Sequence, residues 1–368
     1  MKILSVCIFS PPATSYGGPT TVAVTHAIGL RKEGVLVDIV SSNFLDRRTK
    51  SPPVTSGNIK RFQSYNLSRS FSGIFSIEAL KYIVLNRRKY DIVHIHLSRE
   101  MFPVMCAFTC CIFRIKYFTQ THGMLNTRSR SRDLFDLIIT SRILRNADVC
   151  LALQDVEKNR LRKISKYANI KVLGNFINPI DRSWVGFANS NIVSFVARLH
   201  PRKNVLLFIK AASILSEIHP NLKFLIAGDD GGDRELAENL VKELNMSEHI
   251  EFLGNQTHSE ALSIIASSQV YVLPSKDEPF AMSLVEALAM GVPTIIHHTN
   301  HLVKEATDYK AVKVCGDTPE DLAMQISSIV ESKEQSISMS VNGLKMSQEM
   351  LGYTSNITRL KDLYNESR

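Results

Sequence analysis

Apolar and polar positions group along the chain into short segments that alternately predict strands and helices. The clearest example starts with the β-branched run Val270–Leu273, which a Pro-Ser pair closes. The almost wholly apolar segment Ala281–Met290 follows, and Gly291 ends it. This pattern predicts a buried strand, a turn and a buried helix, with a further strand from Pro293. The same alternation over the full length predicts an α/β fold with parallel sheets.

Two carboxylates lie in this segment with seven residues between them. Glu278 is in the turn, and Glu286 is on the helix. A carboxylate on a buried helix needs hydrogen-bond donors. Sugar hydroxyls would supply them, and a Lys or Arg on a neighbouring helix is the alternative. The turn also offers the backbone N–H groups of Ala281, Met282 and Ser283 at a helix N-terminus, which suits a phosphate.

The size and charge of the chain narrow the class of protein. Its 368 residues are enough for two domains with substantial cores. Up to Trp184, Lys and Arg number 28 and Asp and Glu number 12, although the formal charge of the whole chain is only +9. The basic N-terminal half suggests an anionic partner: nucleic acid, a membrane surface or a phosphorylated substrate. Diffuse solubilising charge is the alternative.

Cysteine usage and apolar segments suggest a cytoplasmic protein. The six cysteines form neither a metal pattern nor a disulfide framework, which is typical of a reducing compartment. The segment Met1–Phe9 is predicted to be a first strand and is too short for a secretory leader. The apolar segment Met101–Phe113 is too short to span a bilayer. It predicts a core helix, with a membrane-dipping face as the alternative.

Two glycines and a histidine are the candidate residues of the N-terminal half. Gly17 and Gly18 precede a helix predicted from Thr21 to Glu33, where they let backbone approach a ligand closely or simply make a turn. The polar stretch 46–66 predicts a loop. His122 follows a predicted strand at its carboxyl end. There it can donate to a sugar hydroxyl or a phosphate oxygen, or serve a structural role.

An alternating Arg-Ser sequence follows at residues 126–132. It predicts a cationic loop or helix start that faces an acidic membrane or the pyrophosphate of a lipid-linked acceptor. A plain solvated loop is the alternative. Because no aromatic residues are interleaved, a nucleic-acid platform is disfavoured.

In the C-terminal half, Arg198 and Lys203 flank a turn after the predicted strand Asn191–Val196. Two fixed cations at the carboxyl edge of a sheet can hold a diphosphate and stabilise the charge that develops when it leaves. Ordinary surface cations are the alternative. Three histidines between His297 and His301 suit no single helix face, so a metal site there is a minor hypothesis.

The stretch from Glu278 to Glu286, Glu-Pro-Phe-x-Met-x-x-x-Glu, continues as Ala-x-Ala-x-Gly-x-Pro. It resembles the E-x7-E signature of retaining glycosyltransferases with the two-domain GT-B fold, in particular family 4. Arg198 with Lys203 resembles a second element of that family, and Thr121–Gly123 resembles a third. The resemblance covers nearly the whole chain.

The chain departs from the family pattern at several glycine positions. Ala197 and Asn204 replace two glycines around the Arg and Lys, and the expected Asn-Gly-x-Asp junction reads Asn175-Phe-Ile-Asn178. Ala281 replaces the glycine usual after Glu-Pro-Phe. By hypothesis its methyl group narrows the donor pocket and alters the sugar preference. Assaying Ala281→Gly against a panel of nucleotide sugars tests this, and an unchanged preference would contradict it.

The resemblance implies two doubly wound, Rossmann-like domains that face each other across a cleft, with a C-terminal helix that crosses back to the first domain. The expected domains are residues 1–178, which bind the acceptor, and residues 179–350, which bind the nucleotide sugar. Residues 351–368 form the returning helix. The implied activity is that of a retaining, metal-independent hexosyltransferase that needs no cofactor.

The resemblance also assigns roles to residues. The candidate catalytic residues are Glu278, His122, Arg198 and Lys203. The candidate donor-binding residues are Gly17, Gly18, Phe280, Ala281, Met282, Ser283 and Glu286. The two cations and the helix N-terminus would hold the diphosphate, Glu286 the ribose hydroxyls and Glu278 the donor sugar. Whether Glu278 also acts as a base or stabilises an oxocarbenium ion stays open.

The expected partners are a nucleotide sugar and a saccharide acceptor linked to polyprenyl diphosphate, as in the biosynthesis of O-antigen, lipopolysaccharide and other surface polysaccharides. No nucleic acid is expected. The predicted location is the cytoplasm, peripheral on the inner membrane face. One alternative is a nonhydrolysing sugar-nucleotide epimerase, which would release epimerised sugar nucleotide without an acceptor. The other is a noncatalytic GT-B-like binding protein, which would not turn over a donor.

Overall fold

The computed structural model describes residues 1–10, 17–45, 50–51, 54–56, 58–68, 70–125, 134–176, 180–187 and 190–367. The chain forms two compact units. The first comprises Met1–Phe176 together with Tyr353–Arg368, and the second is Ile177–Gly352. Each unit has its own sheet and its own buried apolar clusters.

The first unit is built on an eight-stranded sheet. In chain order its strands are β1 Lys2–Val6, β2 Leu36–Ser42, β3 Val54–Ser56, β4 Ile59–Phe62, β7 Ile92–His96, β8 Tyr117–Gln120, β9 Val149–Ala152 and β10 Ile170–Val172; β5 Tyr65–Asn66 and β6 Ile74–Phe75 pair separately. The spatial order is β10-β9-β8-β7-β1-β2-β4-β3, and only β3 pairs antiparallel. The polar stretch 46–66, predicted to be a loop, contains three of these strands.

Helices cover both faces of this sheet. They are α1 Gly17–Lys32, α2 Ile77–Leu85, α3 Met101–Ile112, α4 Ser141–Asn146 and α5 Asp155–Ile164; a π-helical turn, Asp136–Thr140, leads into α4. Helices α2, α3 and α4 pack into one apolar cluster with the sheet. Helix α1 packs into a second cluster. It begins at Gly17, so the glycine pair forms the start of the helix rather than a loop before Thr21.

The second unit has a six-stranded, fully parallel sheet. Its strands are β11 Ile192–Val196, β12 Lys223–Ala227, β13 Ile250–Gly254, β14 Val270–Leu273, β15 Thr294–His297 and β16 Val312–Cys315. They lie in the order β13-β12-β11-β14-β15-β16, which is the order of a doubly wound nucleotide-binding sheet. The order reverses between β11 and β14, so ligands are expected at the carboxyl ends of these two strands.

The helices of the second unit are α6 Val205–Ile218, α7 Arg234–Glu243, α8 His258–Ala266, α9 Met282–Met290, α10 Val303–Asp308, α11 Pro319–Val330 and α12 Lys333–Glu349. Their ends follow sequence signals. Thr257 and Glu260 form a capping box on α8. Gly291 adopts a left-handed conformation (φ 75°) and ends α9, as its position predicted.

The last helix, α13 Tyr353–Glu366, belongs to the first unit. Its side chains Ile357, Leu360 and Tyr364 are buried in the same cluster as α1. Ile357 lies so close to Gly29 of α1 that a Cβ there would come within 2.3 Å of its Cδ1 atom. The prediction that the C-terminal helix crosses back to the first domain is confirmed.

Candidate active site

The loop after β14 leads directly into α9 and carries most of the predicted donor residues. Ala281 is the N-cap of α9 (φ −91°, ψ 116°), and its small side chain is buried. Met282 and Ser283 are therefore the first two helical residues, and their N–H groups have no partner within the helix. Phe280, just before the cap, packs against the apolar cluster beneath α9. This arrangement supplies the helix N-terminus that suits a phosphate.

Glu278 lies in the same loop and is 4% exposed. One of its carboxylate oxygens is 2.5 Å from Nζ of Lys203. The guanidinium of Arg202 lies 3.7 Å from the other oxygen. The neighbouring backbone ties the two loops together, because the N–H of Lys276 donates to the carbonyl of Arg202 at 2.8 Å. Two residues 75 positions apart, Lys203 and Glu278, thus meet at the switch point of the sheet.

The loop that carries Lys203 is a single 3₁₀ turn, Pro201–Lys203, between β11 and α6. His200 caps this turn, since its Nδ1 accepts from the N–H of Arg202 at 3.1 Å. Asn204 ends it in the left-handed region (φ 61°, ψ 42°). Asparagine tolerates this conformation better than most residues, so it can occupy a position where the family usually has glycine.

Arg198 follows β11 and lies against the loop after β12. A Cβ on Gly231 would come within 2.9 Å of Cγ and Cδ of Arg198, and a Cβ on Gly228 would lie 2.0 Å from the carbonyl oxygen of Ala197. The glycine-containing turn after β12 therefore leaves room for the Arg198 stem. In this way β12 positions the cation at the carboxyl edge of the sheet.

Tyr271 of β14 joins the end of β11 to the start of α9. Its hydroxyl donates to the carbonyl of Val196 (3.2 Å) or to Oγ of Ser283 (2.8 Å), since one phenolic proton serves both contacts. Val196 lies two residues before Arg198. The fully buried Tyr271 therefore connects the segment that leads to Arg198 with the first turn of α9.

Glu286 lies on α9 and, among the described residues, contacts His258 rather than a lysine or arginine. Nε2 of His258 is 2.8 Å from a carboxylate oxygen of Glu286. The Glu286 side chain is largely buried, whereas His258 is exposed. The hydrogen bond to Glu286 raises the pKa of His258 above its ordinary value, because the charged imidazolium is the better partner for a carboxylate.

One of the histidines after β15, His301, has clear structural contacts. The N–H of His301 donates to the carbonyl of Glu278 at 3.0 Å, and its Nε2 lies 2.8 Å from Asp277. The N–H of Asp277 in turn donates to Thr299 at 2.9 Å. His297, His298 and Asp317 also bring three possible metal ligands within 4.8 Å of one another. The contacts of His301 hold the backbone of the Glu278 loop.

His122 is the predicted catalytic residue of the first unit. Its backbone is left-handed (φ 51°), and its Nε2 is 2.9 Å from Nδ1 of His96. Its own Nδ1 is buried and has no hydrogen-bond partner among the described residues. Burial, reinforced by the nearby His94, lowers the pKa of His122 to about 3. The ring is therefore neutral at pH 7 and offers a hydrogen bond, not a positive charge.

Glu157 of α5 fixes the loop that carries His122. One of its oxygens accepts from the hydroxyl of Thr121 and from the N–H of Gly123, each at 2.5 Å. The other accepts from the N–H of Leu153 at 2.6 Å. Because Glu157 is buried, these charge-assisted bonds hold the residues on both sides of His122 in place.

His122 belongs to a cluster of four histidines, together with His26, His94 and His96. The rings of His94 and His96 stack at 4.8 Å, and those of His96 and His122 stack at 5.1 Å. Burial lowers the pKa of all four. Ring nitrogens of His26, His94 and His96 lie within 4.8 Å of one another, so these neutral imidazoles are a possible set of metal ligands. The expectation that the protein needs no metal stays a prediction.

Two known protein families match successive parts of the chain. The family model described as Glycosyl transferases group 1 matches residues 178–346, and that described as Glycosyltransferase Family 4 matches residues 16–180. The family 4 match lies mainly in the first unit, and the group 1 match lies in the second. The chain belongs to the GT-B glycosyltransferases.

Curated relatives of this glycosyltransferase are distant but extend over most of it. UDP-Gal:alpha-D-GlcNAc-diphosphoundecaprenol alpha-1,3-galactosyltransferase of Escherichia coli is 25% identical over 83% of this chain and 84% of its own length. D-inositol 3-phosphate glycosyltransferase of Corynebacterium glutamicum is 23% identical over 97% of this chain and 93% of its own.

Solved structures agree on the fold of the glycosyltransferase. Sucrose-phosphate synthase from Thermosynechococcus elongatus superposes with a TM-score of 0.79 at 19% identity, covering 99% of this chain and 98% of that one. Anabaena HepE in complex with UDP and glucose superposes with a TM-score of 0.76 at 16% identity and covers both chains completely. The predicted architecture of two Rossmann-like domains is confirmed.

The sequence motifs did not reveal every residue that shapes the glycosyltransferase's candidate site. Tyr271 is a member of an apolar strand, and nothing in its neighbourhood distinguishes it from a core residue. His258 stands in an ordinary capping sequence. Of these three residues, Glu157 alone has a distinguishing feature in the sequence, because it is an acidic residue in a strongly basic helix.

Proposed function

We propose that this enzyme is a retaining glycosyltransferase that transfers a hexose from a UDP-linked donor to a saccharide on polyprenyl diphosphate. The acceptor class is supported by the E. coli relative, whose name specifies a diphosphoundecaprenol acceptor and a UDP-Gal donor. The basic N-terminal half, with 28 Lys and Arg against 12 Asp and Glu up to Trp184, suits an anionic, lipid-linked acceptor.

The observation that carries the proposal is the pairing of Lys203 with the buried Glu278. This pair gives a donor two complementary groups. The ammonium of Lys203 can leave the carboxylate for a phosphate oxygen, and Glu278 can then accept hydrogen bonds from hydroxyls of the donor sugar. A buried ion pair is a weak means of stabilising a loop, because removing both charges from water costs free energy that their attraction often does not recover.

The remaining donor contacts follow from the same loops. Arg198, Lys203 and the first-turn amides of α9 hold the diphosphate, and Glu286 holds the ribose hydroxyls. When the bond between the anomeric carbon and the phosphate oxygen breaks, its electron pair moves onto the diphosphate. Fixed cations and amides aimed at that charge lower the barrier to departure. These groups would serve in place of a metal ion, and we propose that the reaction is metal-independent.

Acceptor-dependent transfer from a radiolabelled donor tests the function. Thermal-shift screening of UDP- and GDP-sugars first identifies the donor, since a ligand at 100 times its Kd stabilises by about 2.7 kcal/mol. We then expect label to reach a polyprenyl-diphosphate-linked saccharide with retained anomeric configuration, also after dialysis against EDTA. Release of free epimerised sugar nucleotide without acceptor would indicate an epimerase. Donor binding without turnover would indicate a binding protein.

A further inference from the structure

Three neighbouring helices of the first unit expose large apolar side chains. Helix α3 packs against both α2 and α4 on one face of the sheet. Eight exposed apolar side chains lie on these helices and their flanking residues: Ile77, Leu85, Phe108, Ile112, Phe113, Leu134, Leu137 and Ile138. They are between 37% and 81% exposed. We call this set the apolar face.

The two helices on the other sheet face behave differently. Among the side chains that the structure describes there, α1 and α13 expose one large apolar residue, Ile28. These two helices therefore lack a counterpart of the apolar face. Exposed apolar side chains gathered on neighbouring helices in this way can mark a surface that contacts a partner or a membrane.

Helix α3 has the sequence MFPVMCAFTCCI and carries no charged side chain. One side of it is nevertheless directed outward, because Phe108 and Ile112, four residues apart, are both exposed. A helix without a polar side is normally buried. The outward side of α3 is therefore chemically suited to an apolar environment rather than to water.

Cations accompany the apolar face. Within residues 77–89, 101–114 and 134–146 the exposed basic residues are Lys81, Arg87, Arg88, Lys89, Arg114, Arg142 and Arg145. The same three ranges contain one exposed acidic residue, Glu78; their other carboxylate, Asp136, is buried against Arg99. Apolar side chains next to Lys and Arg are the combination with which peripheral proteins bind anionic lipid surfaces.

The apolar face is connected to the loop that carries His122. The guanidinium of Arg99 bonds both oxygens of Asp136, at 3.1 and 2.5 Å, and also donates to the carbonyl of Met124 at 3.0 Å. Asp136 directly precedes Leu137 and Ile138, and Met124 lies two residues after His122. This exposed apolar turn is thereby held beside the loop that carries His122.

We infer that the apolar face and its cations dock the enzyme on an anionic lipid bilayer, with Leu137 and Ile138 inserted among the lipids. No helix in the described part of the chain combines the length and hydropathy needed to cross a bilayer, so attachment by this face is interfacial. The inference takes the lipid-linked acceptor from the proposed function, but the docking itself is measurable without any reaction.

The test is flotation of the purified full-length enzyme with vesicles of phosphatidylcholine, alone or mixed with phosphatidylglycerol. We expect binding to the mixed vesicles and at least about tenfold weaker binding of the double variant L137N/I138N, because two apolar side chains leave the interface. The matched control is I218N/L236N, which changes two similarly exposed apolar residues of the second unit, Ile218 at 59% and Leu236 at 57%.

The outcomes separate this inference from the proposed function. Equal losses in the two double variants, or no binding of the unmodified enzyme to the mixed vesicles, would overturn the docking face. Donor turnover with a soluble, short-chain acceptor would stand in either case, and L137N/I138N should retain it. Conversely, vesicle binding that depends on Leu137 and Ile138 without any transfer activity would leave the face intact and remove the proposed function.

Discussion

At the scale of single residues, Lys203 and Arg202 both face Glu278 but differ in distance and exposure. The Lys203 ammonium lies at 2.5 Å and is 18% exposed, whereas the Arg202 guanidinium lies at 3.7 Å and is 37% exposed. We expect Lys203→Ala to lower kcat/KM for the donor by about 10²- to 10³-fold, as for loss of one group that stabilises a leaving charge. Steady-state kinetics over a range of donor concentrations measure this.

Arg202→Ala is the matched control for that experiment. Because exposed ion pairs contribute little, we expect at most about a fivefold change. Lys203→Ala also leaves the buried Glu278 unpaired, and a thermal melt shows whether this destabilises the protein. Lys203→Arg keeps a positive charge beside Glu278, so it separates that effect from the loss of donor binding. An Arg202→Ala defect as large as that of Lys203→Ala would contradict the assignment.

His258 adds a pH dependence to donor binding. Its pKa is raised by Glu286, so the pair's stabilisation is complete below the ordinary histidine pKa and is lost as pH rises through the raised value. The protonated ring competes with ribose hydroxyls for the same carboxylate. We therefore expect the donor KM to rise as pH falls through the pKa of His258.

Measurement of the donor KM across that pH range in the unmodified enzyme and in His258→Asn tests the competition. Asparagine does not titrate, so the donor KM of His258→Asn should not rise at low pH, while the other groups titrate as before. A rise of the same size in both proteins would show that another group is responsible.

Sequence patterns singled out Glu278, Glu286, Arg198 and Lys203 as candidates but did not indicate their contacts. Each of the pairs Glu278–Glu286 and Arg198–Lys203 lies within one short segment of the chain, so its spacing is visible in the sequence. The contact of Glu286 with His258 joins residues 28 positions apart, and the contact of Glu157 with Thr121 joins residues 36 positions apart. Such contacts arise only when strands are ordered in a sheet, which one sequence does not specify.

At the scale of elements, the turn after β12 determines where Arg198 lies. Gly228 has φ 150°, and a Cβ there would lie 2.0 Å from the carbonyl oxygen of Ala197. We expect Gly228→Ala to displace the start of the Arg198 loop and to weaken donor binding by more than tenfold, which isothermal titration measures. Backbone strain alone would cost about 1–3 kcal/mol of stability.

Gly232→Ala in the same turn is the control for strain. Gly232 also has a positive φ, 115°, but a Cβ there would meet nothing within 4 Å. This variant should lose stability in a thermal melt while keeping donor affinity close to normal. If both variants lost donor affinity equally, strain rather than the clash with Ala197 would be the cause.

Helices and strands with strong apolar periodicity were predicted closely, and weakly patterned segments were not. The strand Val270–Leu273 was predicted with its observed bounds, since a β-branched run closed by Pro has few alternatives. The polar stretch 46–66 was wrongly predicted to be a loop. Its strand Ile59–Phe62 pairs with β2 through backbone hydrogen bonds, and its side chains are only partly buried, so alternation gave no signal.

At the scale of the whole molecule, the two parts of the chain that form the first unit are far apart in sequence. Residues 1–176 need the last helix, α13, because Ile357, Leu360, Leu363 and Tyr364 are buried in their apolar cluster. Burying four such side chains contributes about 6–12 kcal/mol. That range is comparable to the whole stability of a typical domain, about 5–15 kcal/mol.

We therefore expect a chain that ends at Gly352 to lose the fold of its first unit while the second unit, which has its own buried clusters, stays folded. Hydrogen exchange measured by mass spectrometry distinguishes the two units. Amides of β1, β7 and β8 should exchange freely, and those of β11, β12 and β14 should stay protected. A chain that ends at Tyr364 keeps all four buried side chains and is the control. Protected amides in β1 and β7 of the shorter chain would mean that residues 1–176 fold independently. The returning helix would then be an addition to the first unit rather than a part of its core.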